Sequence, residues 1–314
     1  MGSTIHALIE SLNRAILSDR ILILYRHNGM YWGDHEFCDN SNQNIMCYLQ
    51  PITNCSVSDE DINLARHNNQ PFITETHAHI KYPTELEKHP TIPYVFCPYI
   101  DNNQRTVPPF IKDLFKLNKF PVDRLWYWRI QGATFVTRLN ERTMNWIREY
   151  EKKTCKECEN EFDISLHIRH ADKGSEMTLI KADVYKEAIK IITSLGMKKN
   201  YTIYVNADDQ KSVDIIHSLP YHTVSLSQQR GNKGVWANIR VPHVALISFA
   251  NLHIQIRADH CLGTIQSNWC RLIYMLKLTV GMKSDGFVLE VGYPPCSLYS
   301  ECTFKNKHLQ IEWW

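Results

Sequence analysis

The second half of the chain alternates between short apolar runs and segments with helical periodicity. Strand-like runs are predicted at 164–168, 201–205 and 222–226, and helical patterns follow near 182–194 and 211–217. This alternation predicts an α/β fold with a parallel sheet, because parallel neighbours need crossover connections, which are usually helices. Two further helical patterns complete the series, near 244–255 and 267–278.

The first half carries weaker versions of the same signals. Residues 5–18 have helical spacing, and short apolar runs of the buried-strand type occur at 21–25 and 94–96. A long amphipathic segment, 125–153, then leads into the alternating half and is expected to join two lobes. A chain of 314 residues is long enough for two α/β lobes.

Charge and hydropathy exclude several classes of protein. The net charge is +2 and no Lys/Arg stripe stands out, so we predict no nucleic-acid partner. No apolar run approaches the length of a membrane span, and no signal-peptide pattern opens the chain.

Ten cysteines are many for a reduced compartment. Cys155 and Cys158 form a Cys-x-x-Cys pair, but a zinc site would need two more ligands, and neither a second such pair nor a His-x-x-x-His follows. A local disulfide or a pair of thiols is therefore favoured over zinc. Other cysteines also lie close together, which favours pairing and an oxidising compartment: Cys38, Cys47 and Cys55; Cys261 and Cys270; Cys296 and Cys302.

A dense charge cluster follows the strand predicted at 164–168. Arg169 and Lys173 suit an anionic ligand such as a phosphate, and Glu176 suits a proton acceptor. Strands that end in such clusters present them at the carboxyl edge of a sheet, where open α/β folds bind ligands. The alternative is a solvated, self-neutralising group of charges.

Two more polar clusters follow predicted strands in the same half. Asp208 and Asp209 precede a helix, where they could simply cap it. The segment 263–268 is a Gly/Thr/Ser/Asn loop that opens another helix, so it could cradle an anion or again be a cap through Ser267 or Asn268.

Taken together, the three clusters predict one site. In a parallel sheet their strand ends converge on one edge, which would hold a phosphate-bearing ligand between Arg169 and residues 264–267. Neither Gly-x-Gly-x-x-Gly nor the P-loop pattern occurs, which disfavours classical dinucleotide and P-loop chemistry. An Asp-x-Asp after an apolar strand is also absent, so a metal-dependent nucleotide-sugar site is not indicated.

The first cluster resembles the signature of the α-1,6-fucosyltransferases that modify the core of N-glycans. That signature is His-x-Arg-x-x-Asp-Lys followed by Glu, and this chain has His167, Arg169, Asp172, Lys173 and Glu176 in the same order. Other segments are similar to the family in the same order along nearly the whole chain: Leu22–Leu24, Trp126–Trp128, Ala207–Asp209, Arg257–Asp259 and Thr264–Arg271.

The resemblance implies an α/β fold of two lobes. These would be an open α/β domain at 1–125 and a Rossmann-like donor-binding domain at 126–314 that includes the linking helix. It also implies an inverting, metal-independent transfer of fucose from GDP-fucose to a glycan hydroxyl, the core GlcNAc of an N-glycan, with no cofactor. The partners would be a nucleotide-sugar donor and a glycan or glycoprotein acceptor, and the compartment would be the Golgi lumen.

The resemblance also implies roles for individual residues. Glu176 would be the general base on the acceptor hydroxyl, with Lys173 beside it, and Arg169 would hold the β-phosphate and stabilise the departing GDP. The remaining donor-binding residues would be His167 and Asn251 at the guanine, Ser267 at the phosphate, and His170, Asp172, Asp208, Asp209 and Asn268 in support.

The chain also departs from the family pattern. His170 stands where a second arginine is expected, Asn251 replaces a guanine-reading aspartate, and the loop before Glu176 is one residue shorter. The family's first strand, stem, membrane anchor and C-terminal SH3-like domain have no counterpart, so we expect a truncated product or a fragment. Three alternatives stay open: an inactive relative that binds nucleotide or glycan, a transferase of another nucleotide sugar, and a non-catalytic α/β protein with caps and salt bridges only.

Overall fold

The computed structural model forms two compact units, residues 3–140 and residues 141–314. None of the helices it describes combines the length and the apolar character that a membrane span requires. The described residues are 1–17, 21–23, 32–39, 45–55, 60, 94–96, 124–170, 179–195, 200–226, 242–264, 267–281, 288–291 and 309–312.

The described part of the first unit contains two α-helices and a short parallel strand pair. Helix α1 lies against helix α2 through the 2.6 Å ion pair between Glu10 and Arg129 and a hydrogen bond from Trp128 to Asn13. The two strands are in register from Ile21 opposite Tyr94. The described α-helices and strands of this unit are α1 (Gly2–Leu17), β1 (Ile21–Ile23), β2 (Tyr94–Phe96) and α2 (Arg124–Val136), and a short 3₁₀ helix spans Ile45–Cys47.

The amphipathic segment predicted to be continuous over 125–153 is two helices, α2 and α3 (Glu141–Thr154). The interruption has a long-range cause, since the backbone of residues 138–140 pairs with residues 48–50. Leu139 forms an antiparallel bridge with Leu49, and the Asn140 N–H donates to the Tyr48 carbonyl at 3.0 Å. Helix α2 belongs to the first unit and α3 to the second. The domain division at 125/126 stays a prediction.

The second unit is built on one six-stranded sheet. Its strand order is β5-β4-β3-β6-β7-β8; every neighbouring pair is parallel except β7 and β8, which are antiparallel. The parallel sheet expected from the sequence is therefore confirmed. Its strands are β3 (Ile164–Ile168), β4 (Thr202–Ala207), β5 (His222–Val224), β6 (His260–Gly263), β7 (Val288–Val291) and β8 (Leu309–Glu312).

In the described part of this unit the strands are connected by α4 (Ala182–Leu195), α5 (Gln210–His217), α6 (Val244–Arg257) and α7 (Asn268–Thr279). All five residues of β3 are buried, as expected of a central strand covered on both faces. Ile164, Leu166 and Ile168 pack in one apolar cluster with residues of α4, α5 and β4.

The order of the strands places a topological switch point between β3 and β6. From β3 the chain goes to β4 and β5 on one side, and it returns to β6 and β7 on the other. The connections after β3 and β6 therefore diverge, and open α/β sheets bind ligands outside the carboxyl ends of the strands at such a switch point. The first and third polar clusters of the sequence follow these two strands.

The cysteines pair only in part as expected. Cys155 and Cys158 form a local disulfide, and Cys38 is bonded to Cys47. The expected pairing of Cys261 with Cys270 is wrong, because both are buried thiols, one on β6 and the other on α7. Burial raises the pKa of Cys261 to about 11, so this thiol stays protonated at neutral pH. Cys296 and Cys302 lie outside the described residues.

Candidate functional site

Two of the three predicted clusters meet at the carboxyl ends of β3 and β4. The strands are in parallel register, with Ile168 opposite Ala207, so the residues that follow them are brought together. The Arg169 guanidinium forms an ion pair with the Asp208 carboxylate. The other oxygen of Asp208 accepts the His170 backbone N–H at 2.8 Å. Asp208 thus fixes both the backbone and the cation at the end of β3.

His170 connects this strand end to helix α5. Its Nε2 lies 2.6 Å from the Ile180 carbonyl oxygen, and its Nδ1 lies 3.0 Å from an oxygen of Asp209 and 3.0 Å from the Ser212 hydroxyl. Asp209 also caps α5, because its carboxylate accepts the Ser212 N–H at 2.8 Å. The capping interpretation of Asp209 is therefore confirmed, with the addition that the cap also holds the His170 ring.

The third cluster lies at the start of α7. Ser267 is the N-cap residue and is buried, but its hydroxyl does not cap the helix, so that part of the capping alternative is wrong. Instead the Ser267 N–H donates to the Thr264 carbonyl at 2.9 Å. Asn268 accepts a hydrogen bond from Arg271 one turn later. A helix N-terminus in this position favours negative charge.

His167 lies one position inside the strand end and is buried. It is 7% exposed, its ring lies 6.5 Å from that of Trp269, and its Nδ1 is 3.4 Å from the amide nitrogen of Asn206. Burial, and secondarily the Arg169 guanidinium, lowers the pKa of His167 to about 3. The ring is therefore neutral at physiological pH. Its Nε2 is buried and has no hydrogen-bond partner within the described part of the chain.

Asn251 lies on α6, and its buried side chain contacts Tyr204 of β4. Its Oδ1 accepts the Tyr204 hydroxyl proton at 2.7 Å, and its Nδ2 donates to the Ile247 carbonyl at 2.8 Å. The residue is 3% exposed. Both ends of the amide are thus hydrogen-bonded within this unit.

Gln255 was assigned no role by the sequence analysis, yet it joins four elements, α6, β3, β4 and α7. This fully buried residue donates from Nε2 to the Leu166 carbonyl at 3.0 Å. Its Oε1 accepts from Asn206 at 2.9 Å and from the Trp269 indole at 3.4 Å. The available signal was a pair of amides, Asn251 and Gln255, one helical turn apart in a largely apolar helix.

The described residues therefore contain most of the predicted site. His167, Arg169, His170, Asp208 and Asp209 gather at the ends of β3 and β4, while Ser267 and Asn268 lie at the start of α7. No group of three or more His, Cys, Asp or Glu side chains in the described ranges could hold a metal ion. Three predicted residues lie outside those ranges: Asp172, Lys173 and Glu176.

Comparisons with known proteins concern the fold of the chain. No model of a protein family matches the chain, and no curated protein matches it either. Solved structures do match. NodZ α-1,6-fucosyltransferase soaked with GDP-fucose is 13% identical, with a TM-score of 0.52 over 99% of this chain and 95% of that one.

Two further structures give the same result. Fucosyltransferase NodZ from Bradyrhizobium is 12% identical, with a TM-score of 0.53 over 99% of this chain and 94% of that one. An Arabidopsis thaliana FUT1 mutant in complex with GDP is 12% identical, with a TM-score of 0.53 over 94% and 69% of the two chains. The chain has the fold of these fucosyltransferases. The predicted fold class is thereby confirmed, and at this level of identity the likeness concerns the fold alone.

Proposed function

We propose that the chain is an inverting fucosyltransferase that takes fucose from GDP-fucose and attaches it to a glycan hydroxyl without a metal ion. One observation carries the proposal. Arg169 is tethered by Asp208 at the carboxyl end of β3, at the switch point of the strand order, which is where doubly wound sheets bind ligands. A structure with the same fold was soaked with GDP-fucose, which suits the diphosphate ligand that this cation would bind.

On the donor side, the proposal assigns the diphosphate to Arg169 and to the start of α7 at Ser267 and Asn268. A guanidinium and a helix N-terminus both favour an anion, and together they replace the charge that a metal would otherwise supply. His170 and the acidic residues around it orient the strand end, as the contacts with Asp208 and Asp209 suggest. His167 is assigned to the nucleobase, while the assignment of Asn251 there rests on the resemblance alone.

On the acceptor side, we assign the general base to Glu176 with Lys173 beside it and Asp172 in support. Glu176 would take the proton of the acceptor hydroxyl as its oxygen attacks the anomeric carbon, and GDP would leave from the opposite face. Arg169 would stabilise the charge that develops on the departing diphosphate. These assignments rest on the signature at 167–176, and so do the N-glycan core as acceptor and the Golgi lumen as compartment.

The decisive experiment separates donor binding from transfer. We expect GDP and GDP-fucose to raise the melting temperature of the protein, and mass spectrometry to detect a fucosylated product with N-glycan acceptors. The Glu176→Gln variant should lose transfer and keep GDP binding, whereas Glu149→Gln on the exposed side of α3 should keep both. No stabilisation by any nucleoside diphosphate would remove the donor site, and full turnover by Glu176→Gln would remove its role as base.

A second candidate is a relative that binds the nucleotide without turnover. It is favoured by His170, which replaces an arginine of the family pattern and whose ring is hydrogen-bonded to the Ile180 carbonyl and the Ser212 hydroxyl. GDP binding combined with no transfer from a full panel of nucleotide sugars would decide for this candidate.

A further inference from the structure

A buried chain of hydrogen bonds runs beneath the candidate site, and its direction can be determined. Gln255 is held by two partners of fixed polarity. The Leu166 carbonyl can only accept and lies 3.0 Å from Nε2, while the Trp269 indole can only donate and lies 3.4 Å from Oε1. Turning the Gln255 amide over would place oxygen against oxygen and N–H against N–H. Its orientation is therefore fixed by chemistry.

The orientation of Gln255 determines that of Asn206. Because Oε1 of Gln255 accepts, the atom of Asn206 at 2.9 Å from it must be the amide nitrogen. That same nitrogen lies 3.4 Å from Nδ1 of His167. An amide nitrogen carries two hydrogens, so one is donated to Gln255 and the other is directed at His167. Nδ1 of His167 is consequently an acceptor and carries no proton.

A neutral imidazole with an unprotonated Nδ1 carries its proton on Nε2. The ring is neutral because burial and the nearby Arg169 guanidinium lower its pKa to about 3. Nε2 is buried and has no hydrogen-bond partner among the described residues. A buried donor without an acceptor costs stability, which a bound ligand with an acceptor atom would restore.

We propose that Gln255 and Asn206 are positioning residues that hold His167 in its Nε2–H form, so that His167 presents an N–H donor to the nucleotide. The identity of the nucleotide rests on the proposed function; the tautomer does not. The site then selects a nucleobase that presents a hydrogen-bond acceptor to Nε2, such as a ring nitrogen or a carbonyl oxygen. It disfavours a base that offers an amino group at that position, because two donors would face each other.

The tautomer can be measured directly by ¹⁵N NMR on the full chain labelled at histidine. The His167 signals are identified by their loss in His167→Gln. We expect a protonated Nε2 and an unprotonated Nδ1 in the wild type. In Asn206→Asp, a carboxylate would face Nδ1 and can only accept, so we expect the proton to appear on Nδ1 and GDP to bind about tenfold more weakly. Asn145→Asp on the exposed surface of α3 is the matched control, and we expect it to change neither.

Each result decides a specific point. A wild-type His167 protonated on Nδ1 overturns the proposal, whether or not any variant folds. An Asn206→Asp protein with the inverted tautomer and unchanged GDP affinity removes the positioning role. If Asn206→Asp does not fold, Gln255→Met tests the same relay, because it frees the Asn206 amide; we expect a mixture of tautomers there, and a single Nε2–H form would contradict us. Failure of the wild type to bind GDP would instead contradict the proposed function and would leave the tautomer result intact.

Discussion

The Tyr204 hydroxyl donates to Oδ1 of Asn251 across 2.7 Å in the interior of the second unit. The amide nitrogen of Asn251 donates to the Ile247 carbonyl at 2.8 Å. An aspartate, which the family pattern has here, could accept from Tyr204 but could not donate to Ile247. The amide therefore suits a buried position in which its oxygen accepts one hydrogen bond and its nitrogen donates another.

This relationship predicts that Asn251→Asp destabilises the protein. We expect a loss of about 1–3 kcal/mol in the free energy of unfolding, since one hydrogen bond disappears and a carboxylate is buried beside a carbonyl. Urea unfolding of wild type and variant measures it, and the exposed Asn145→Asp should stay within about 0.5 kcal/mol of wild type. Unchanged stability together with an altered preference among nucleotides would show that Asn251 faces the ligand instead.

Much of the second unit could be predicted because its signals are local. The run 164–168 is bounded by polar residues, and β3 has the same limits. The division between α2 and α3 could not be predicted, because residues 137–140 contain neither glycine nor proline. It arises from pairing with residues 48–50, which lie far away in the sequence.

The site shows the same contrast. The meeting of Arg169 with Asp208 follows from two parallel strands that end side by side, which a sequence pattern can indicate. The roles of Asn251 and Gln255 could not be derived in that way. Helix α6 is buried on most sides, so its periodicity does not reveal which residue faces which strand.

Gly263 permits the close approach of β6 to α7. A methyl group at this position would lie 2.3 Å from Sγ of Cys270 and 3.4 Å from its Cβ. We expect Gly263→Ala to cost about 1–3 kcal/mol of stability through overpacking. In Gly263→Ala with Cys270→Ala the sulfur is absent and only an ordinary contact remains, so most of that loss should be recovered. A double-mutant cycle by chemical denaturation measures the coupling, and additive effects would refute it.

His167 predicts a pH dependence of stability. Its pKa falls from about 6.5 in the unfolded chain to about 3 in the folded one. Between these values the unfolded state binds a proton that the folded state does not, so stability falls as the pH is lowered. From about pH 7.5 to about pH 5 this single group would remove about 2 kcal/mol.

His167→Gln tests this assignment, because glutamine does not titrate and every other group stays the same. Urea unfolding at the two pH values should give a smaller loss in the variant by about that amount. An equal loss in both proteins would mean that the folded state tolerates a charged His167.

Asp208 is expected to act on ligand binding through Arg169. Arg169→Ala removes the cation, and we expect GDP to bind about 10- to 100-fold more weakly, as for a lost charge-assisted hydrogen bond. Asp208→Asn keeps an oxygen that can accept the His170 N–H at 2.8 Å, so it removes the ion pair with Arg169 and spares the backbone contact. Its affinity for GDP should fall by less than that of Arg169→Ala, because the cation remains but is held less firmly.

Titration calorimetry measures the GDP affinity of both variants, with Arg148→Ala on α3 as the control for lost charge. If Asp208→Asn bound GDP as well as the wild type while Arg169→Ala did not, Arg169 would reach the diphosphate without needing Asp208 to hold it.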